Sequence, residues 1–343
     1  MNMIAPGILR LLMLAVLGLS ALAMPGRSDA STNCSASMSN VSFGAVDPFG
    51  GTVDVTATIT YDCSTSGLLG LGLRGARVRM CFSIGSGAQG DGTINPRRMT
   101  GGVAPMSFQL YKDAARTQVW GTLSDGFGAV QVDLEYSALI GSSSGGGNLT
   151  VYGRVPTGQN TLSPASYSNL FSGIHTEWRF RANEGLLNLT SYPASCSSGG
   201  SQSGSGTFPF TASASVSSQC RPTFSVDDID FGTHGLLTAA VDNMAAVSPQ
   251  CTNTTPYQIG LGNGQHAVGN TRRMRSPAGN YVTYELYRDN GRTQRWGNTV
   301  NTDTLGLTGS GSPQSTSMYG RVPVQASVPA GNYADTVTLT ITY

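Results

Sequence analysis

Along residues 207–216, apolar and polar side chains alternate without a break. Phe208, Phe210, Ala212, Ala214 and Val216 fall on one side, and Thr207, Pro209, Thr211, Ser213 and Ser215 on the other. A period of two is the signature of a β-strand with one buried face. The stretch has no hairpin partner beside it in sequence, so it must find its sheet elsewhere. Similar alternation recurs on both sides of it. Before it, strands are predicted near 36–43, 52–62, 77–84, 106–112, 147–155 and 174–182. After it, they are predicted near 222–229, 238–247, 256–262, 281–288, 315–322 and 333–343. Hardly any stretch beyond the first 23 residues has a period of 3.6. Short, regular strands between Gly/Pro turns predict an all-β protein built from sandwiches.

The two sets of strands carry the same motifs in the same order, so the chain is read as two copies. Val41-Ser42-Phe43-Gly44 matches Ile229-Asp230-Phe231-Gly232, and Arg97-Arg98-Met99 matches Arg272-Arg273-Met274. Leu110-Tyr111-Lys112-Asp113 matches Leu286-Tyr287-Arg288-Asp289. Arg116-Thr117-Gln118 with Trp120-Gly121 matches Arg292-Thr293-Gln294 with Trp296-Gly297. Tyr152-Gly153-Arg154-Val155-Pro156 matches Tyr319-Gly320-Arg321-Val322-Pro323. Duplication of the Arg-Arg-Met and Tyr-Gly-Arg motifs favours a role in the fold, such as ion pairing to Asp113 or Asp289 or turn geometry, over catalysis.

Cysteine and charge narrow the class. Residues 1–23 read as a secretory signal, with an apolar core at 11–22 and a small-x-small site at 21–23. The six cysteines of an exported chain imply disulfides. Cys34 with Cys63 and Cys220 with Cys251 have nearly equal spacing in matching places, and they are paired on that ground. Cys81 and Cys196 are left to bond each other or to stay free, and an oxidising compartment disfavours free thiols. Charged residues make up only 11% of the chain and the formal net charge is +1, so there is no footprint for nucleic acid.

As a set, the motifs resemble the spore coat protein U domain family, the subunits of archaic chaperone–usher pili. The residues that carry the likeness are the first cysteine with its Phe-Gly, Leu-Tyr-x-Asp with Arg-Thr-x-x-x-Trp-Gly, Tyr-Gly-Arg-x-Pro, and the closing Pro-Ala-Gly-x-Tyr-x-Asp-x-Val-x-Leu-x-Ile-x-Tyr. The second copy fits from 207 to 343. The first fits at its motifs and departs from them over 174–181. The resemblance implies two tandem immunoglobulin-like (pilin-type) β-sandwiches completed by donor strands, each lacking its own seventh strand. The expected order is signal peptide 1–23, an adhesin-like domain 24–184, a Gly/Ser-rich connection 185–206, a donor-type strand 207–219 and a pilin domain 220–343. The partners it implies are a periplasmic pilus chaperone, an outer-membrane usher, an adjacent pilin, and an abiotic or host surface. No small-molecule substrate, cofactor or metal is expected.

Residues 24–33 hold no alternating apolar run, so copy one is expected to accept a strand and not donate one, which places it at a pilus tip. Donor strand 207–216 would then fill copy one of the same chain. Copy one is also longer in three connections, near 64–76, between Trp120 and Tyr152, where an extra strand is expected near 129–136, and over 183–206. Strand alternation puts all three at the distal pole. Their apolar residues are the expected surface-binding set: Leu68, Leu69, Leu71, Leu73, Phe127, Leu139, Ile140, Leu186 and Leu187. A Cys81–Cys196 bridge would tie two of these loops together. The function expected is attachment to surfaces by hydrophobic contact, and biofilm formation, at the cell surface. The rival readings are a shaft or coat subunit and a lectin-like tip domain using Trp178, Tyr192 or polar loop residues. An enzyme is not expected. His175, His234 and His266 are scattered, Asp133 and Glu135 read as a solvated same-face pair, and two Gly-x-Gly-x-x-Gly runs open no helix.

Overall fold

The computed structural model describes residues 31–66, 74–139, 141–186 and 190–343. Domain one contains twelve strands. They are β1 (Ser31–Met38), β2 (Val41–Ala45), β3 (Val53–Ser66), β4 (Arg74–Ile84), β5 (Arg97–Met99), β6 (Met106–Tyr111), β7 (Val130–Ala138), β8 (Ser143–Val155), β9 (Ala165–Phe171), β10 (Thr176–Leu186), β11 (Gln202–Thr207) and β12 (Phe210–Val216). Domain two contains β13 (Ser225–Val226), β14 (Val241–Ser248), β15 (Pro256–Leu261), β16 (Arg272–Arg275), β17 (Tyr281–Tyr287), β18 (Leu305–Thr308), β19 (Thr316–Val322) and β20 (Leu339–Thr342). The one helical element among the described residues is a 3-10 turn at Gly173–His175.

In domain one, one layer is the sheet β1-β3-β8-β6-β5. The long β3–β8 ladder runs from Val53 opposite Val155 to Thr65 opposite Ser143. Ala57, Ile59, Val151 and Val155 alternate with polar residues and turn into the core. The facing layer is β11-β10-β4-β7, continued by β2-β12-β9. The continuation arises because two long strands bend together. β9 passes through the Gly173–His175 turn into β10, and β11 passes through Pro209 into β12.

Two of that arrangement's differences from the sequence expectation bear on the groove. The stretch expected as one strand near 174–182 is the second half of a longer path that begins at Ala165. Part of the Gly/Ser connection expected at 185–206 is β11, paired with β10 from Ala182 opposite Gln202 to Glu177 opposite Thr207. By its pairing, domain one therefore extends to Val216. Glycine explains why 202–207 escapes an apolar-pattern reading. A Cβ on Gly204 would stand 2.5 Å from the Phe180 ring and one on Gly206 2.5 Å from the Trp178 ring. The strand's inner face is filled by its neighbour's aromatics.

Domain two repeats the layers with fewer strands: β13-β14-β19-β17-β16 faces β18-β15-β20. The structural match between the domains can be fixed without sequence. Arg97 donates to the Ile84 and Trp120 carbonyls, and Arg272 donates to those of Leu261 and Trp296. The Trp120 indole donates to the Phe82 carbonyl, and the Trp296 indole to that of Ile259. Ile84 and Phe82 thus stand where Leu261 and Ile259 stand.

Candidate functional site

β12 lies between two strands of domain one. It runs antiparallel to β9, from Phe210 opposite Phe171 to Val216 opposite Ala165. It runs parallel to β2, with Ala212 opposite Val41 and Ser213 opposite Ser42. Its inward residues Phe210, Ala212, Ala214 and Val216 are buried, as is Phe208 just before it. The Phe208 amide donates to the Thr176 carbonyl at 3.2 Å, and the Phe208 ring meets Phe82 edge-on at 5.9 Å. At the other end the Val46 amide donates to the Ser215 carbonyl at 2.8 Å. The walls of this groove, Val41, Phe43, Tyr167 and Phe171, are shut off from solvent.

The same groove in domain two holds no strand among the described residues. Ile229 and Phe231 stand where Val41 and Phe43 stand. The Cβ test shows it: a methyl on Gly153 would meet the Phe43 ring, and one on Gly320 would meet the Phe231 ring. The opposite wall, 331–338, is fixed by the bridge between Arg275 and Ala334, as Thr100 and Ser168 fix β9. Ile229, Phe231, Tyr333 and Val337 are only half-buried. Asp335 helps hold this wall: it accepts from the Gln265 amide at 3.0 Å and from the Tyr284 hydroxyl at 2.7 Å. Burial and that carboxylate push the Tyr284 hydroxyl far above its ordinary value. Asn169, the counterpart of Asp335, is fully buried on β9 opposite Ala212 of β12.

The distal end of domain one follows from the ladders. Arg74 is opposite both Ala138 and Leu186, so the connections before β4, after β7 and after β10 leave one end of the sheet together. Leu139 is there and 69% exposed. Leu68, Leu69, Leu71, Leu73, Ile140 and Leu187 lie outside the described residues, and Leu186 is placed by its backbone alone, at the end of β10. Phe127 does not belong with them. β7 begins with Val130 opposite Phe82, so Phe127 lies at the other end of β4 from Leu139. Eight residues of extended strand separate those ends by roughly 26 Å. The extra strand expected near 129–136 is β7, and because it carries the chain from one pole to the other, the residues before and after it cannot both be distal.

Beneath the distal end sits a polar layer joining both sheets. Thr32 donates to Glu184 at 2.5 Å and shares a hydrogen bond with Thr65 at 2.9 Å; Thr65 in turn contacts the Tyr136 hydroxyl at 3.1 Å. Desolvation pushes the Tyr136 hydroxyl upward. Beside this layer Cys81 is bonded to Cys196, which pins the segment after β10 against β4 and β10. Tyr192 of that segment stacks on Arg77 at 5.2 Å and Arg79 at 5.7 Å. Arg79 also donates to the Pro193 and Ala194 carbonyls. Asp133 and Glu135 are exposed on one face of β7, as read from sequence, and are also ion-paired to Arg79 at 2.8 Å and Arg77 at 3.2 Å. The other disulfides join Cys34 to Cys63 and Cys220 to Cys251.

The duplicated motifs build the frame around the grooves. Arg97 and Arg272 are both fully buried. Arg97 meets Gln109 and three backbone carbonyls, and burial pushes its guanidinium down to about 9, so it stays charged at neutral pH. Arg272 meets Glu285 in the position of Gln109. The arginines of Tyr-Gly-Arg pair elsewhere, Arg154 with Asp54 and Arg321 with Asp242, each at 2.7 Å. Asp113 and Asp289 are therefore not the expected ion-pair partners. They cap tight turns, accepting from the amides of Thr117 and Gln118 and of Thr293 and Gln294. No group of three or more metal-ligating side chains occurs among the described residues.

The Spore Coat Protein U domain model matches residues 23–172 and again 206–340. The chain belongs to the Spore Coat Protein U domain family. The second family unit begins at 206, so β12 belongs to it by sequence and to domain one by pairing. Protein U of Myxococcus xanthus is 43% identical over 105 residues, 29% of this chain and 58% of that protein. The match thus spans less than two thirds of that relative. Among solved structures, the complex of the chaperone CsuC with the tip adhesion subunit CsuE of archaic chaperone-usher Csu pili of Acinetobacter baumannii aligns at 16% identity. It covers 91% of this chain and 100% of that one, with a TM-score of 0.48. The CupB6 tip adhesin of Pseudomonas aeruginosa aligns at 11% identity over 92% of this chain and 95% of that one, with a TM-score of 0.32.

Proposed function

We propose that the chain is the exported tip subunit of a chaperone–usher pilus. Domain one attaches the fibre to surfaces and domain two anchors it to the next subunit. One observation carries this reading: the same groove is filled by the chain's own β12 in domain one and holds no strand in domain two among the described residues. A subunit with one self-filled groove and one open groove can end a fibre, because it needs only one neighbour. Strand addition to an exposed edge supplies main-chain hydrogen bonds for affinity and pockets for specificity. A periplasmic chaperone would cover the open groove during export, since an unpaired apolar edge invites aggregation. An outer-membrane usher would then exchange the chaperone for a pilin.

Attachment is assigned to the distal connections of domain one, with Leu68, Leu69, Leu71 and Leu73, Leu139 and Ile140, and Leu186 and Leu187. Contiguous exposed apolar side chains mark interaction surfaces. Contact with an apolar abiotic or host surface, and biofilm formation, follow from that chemistry. Changing Leu68, Leu69 and Leu71 to Ser should abolish binding of the pilus to an apolar surface. Binding that persists and is competed by free sugars points to a glycan-reading tip instead. Immunogold label along the whole fibre, in place of its end, contradicts the tip position and favours a shaft or coat subunit.

A further inference from the structure

The chain contains its own template for what domain two receives. In domain one the added segment has two parts. β12 fills the groove, and before it β11 pairs with the outer edge of β10, with Pro209 between them. In domain two the strand equivalent to β10 is β20, which pairs with β15 alone among the described residues. Thr176 is opposite Ile84 and Leu339 opposite Leu261, so Leu339, Ile341 and Tyr343 stand where Thr176, Trp178 and Phe180 stand. The Thr338 carbonyl accepts from the Gly262 amide at 2.8 Å, so residues 338, 340 and 342 turn their backbone groups toward β15. Residues 339, 341 and 343 turn theirs to the free edge, as Thr176 does when its carbonyl accepts from Phe208.

Side chains show the same vacancy. Trp178 and Phe180 are 8% and 3% exposed beneath Gly206 and Gly204. Tyr343 is 60% exposed and Ile341 is half-buried.

We propose that the surface domain two offers its neighbour continues past the groove onto the free edge of β20. It fits a polypeptide leader of two parts, a short run with a glycine at alternate positions followed by the apolar alternation that enters the groove. Glycine is expected opposite Ile341 and Tyr343 by analogy with Gly206 and Gly204, where a Cβ would stand 2.5 Å from the Trp178 and Phe180 rings. Four further residues of main-chain ladder, and cover for Tyr343, distinguish this leader from one that fills the groove alone. This inference rests on the reading of domain two as a strand-accepting domain.

The test uses the mature full-length chain and three synthetic peptides: residues 202–216 of this sequence, residues 208–216, and the longer one with Gly204→Val and Gly206→Val. The longer peptide should dissociate about tenfold more slowly than the shorter one, the gain expected of a few net main-chain hydrogen bonds. It alone should protect the Ile341 amide from exchange, and the valine peptide should lose the gain. Equal dissociation of the two natural peptides with Ile341 exchanging freely overturns the extension and leaves the groove reading standing. A valine peptide as slow to leave as its parent overturns the need for glycine. Failure of all three to bind overturns the groove reading itself.

Discussion

Phe171 of β9 and Phe210 of β12 stack face to face, with ring centroids 4.5 Å apart and planes 7° from parallel. Phe171 also meets Phe108 edge-on at 6.3 Å, and Phe108 meets Phe43 at 5.8 Å, so the aromatic row crosses the groove from wall to wall. Phe210→Ala should cost domain one about 3–5 kcal/mol, as deletion of a buried phenylalanine does. Phe208→Ala should cost a similar amount. Denaturant unfolding of the full chain should show domain one weakened and domain two unchanged. An unaltered midpoint for domain one would mean that β12 is not part of its core.

Arg97 tests what holds the frame. Arg97→Met keeps the length and removes the donors, leaving the Ile84, Gly85 and Trp120 carbonyls without a partner. At about 1–3 kcal/mol for each buried unsatisfied group, domain one should lose at least about 3 kcal/mol. Glu285→Gln in domain two should cost much less than Arg272→Met, because Gln109 already fills that place in domain one.

Reduction tests the pinned segment. The Cys81–Cys196 bond closes a loop with a separation of 115 residues. Replacing both by Ser should destabilise domain one by about 2–4 kcal/mol, the usual range for a native disulfide. Limited proteolysis should then cut near Tyr192, which loses the strap that holds it on Arg77 and Arg79. Resistance equal to the parent chain would assign the hold to the arginines alone.

Acid should act late. The hydrogen bond from Arg154 holds the Asp54 carboxyl below its ordinary value of 3.8, and Arg321 does the same for Asp242. A carboxyl depressed in the folded state contributes stability above its unfolded value, and that contribution is lost as pH falls through the folded value. These pairs are about one-third exposed, so each is worth at most about 1 kcal/mol after solvent screening. Asp54→Asn should lower stability slightly at neutral pH and leave it closer to the parent's in acid, once the pH is well below 3.8. A larger gap in acid than at pH 7 would contradict the assignment.

Strand β12 and the two copies were legible because burial alternates there with large side chains. The frame was half legible: duplication marked Arg97 and Arg272 as structural, but their carbonyl partners come from distant strands that no local pattern joins to them. β11 was hidden because its inner face is glycine, and the aromatics that fill that face sit on β10. Its only signal is the match of spacing between Gly204 and Gly206 and Trp178 and Phe180. Phe127 was misplaced because the residues on both sides of the extra strand expected near 129–136 were kept at one pole, whereas a single added strand carries the chain to the other.

Hydrogen exchange on the monomeric mature chain, before any neighbour binds, reads the two grooves at once. Amides of 41–45, 165–171 and 210–216 should exchange only with global opening of domain one. Those of 229–232 and 333–337 should exchange many times faster and become protected when a strand peptide is added. Equal protection of both grooves in the free chain, or fast exchange along 210–216, would contradict the claim that one groove is filled from within and the other waits for a neighbour.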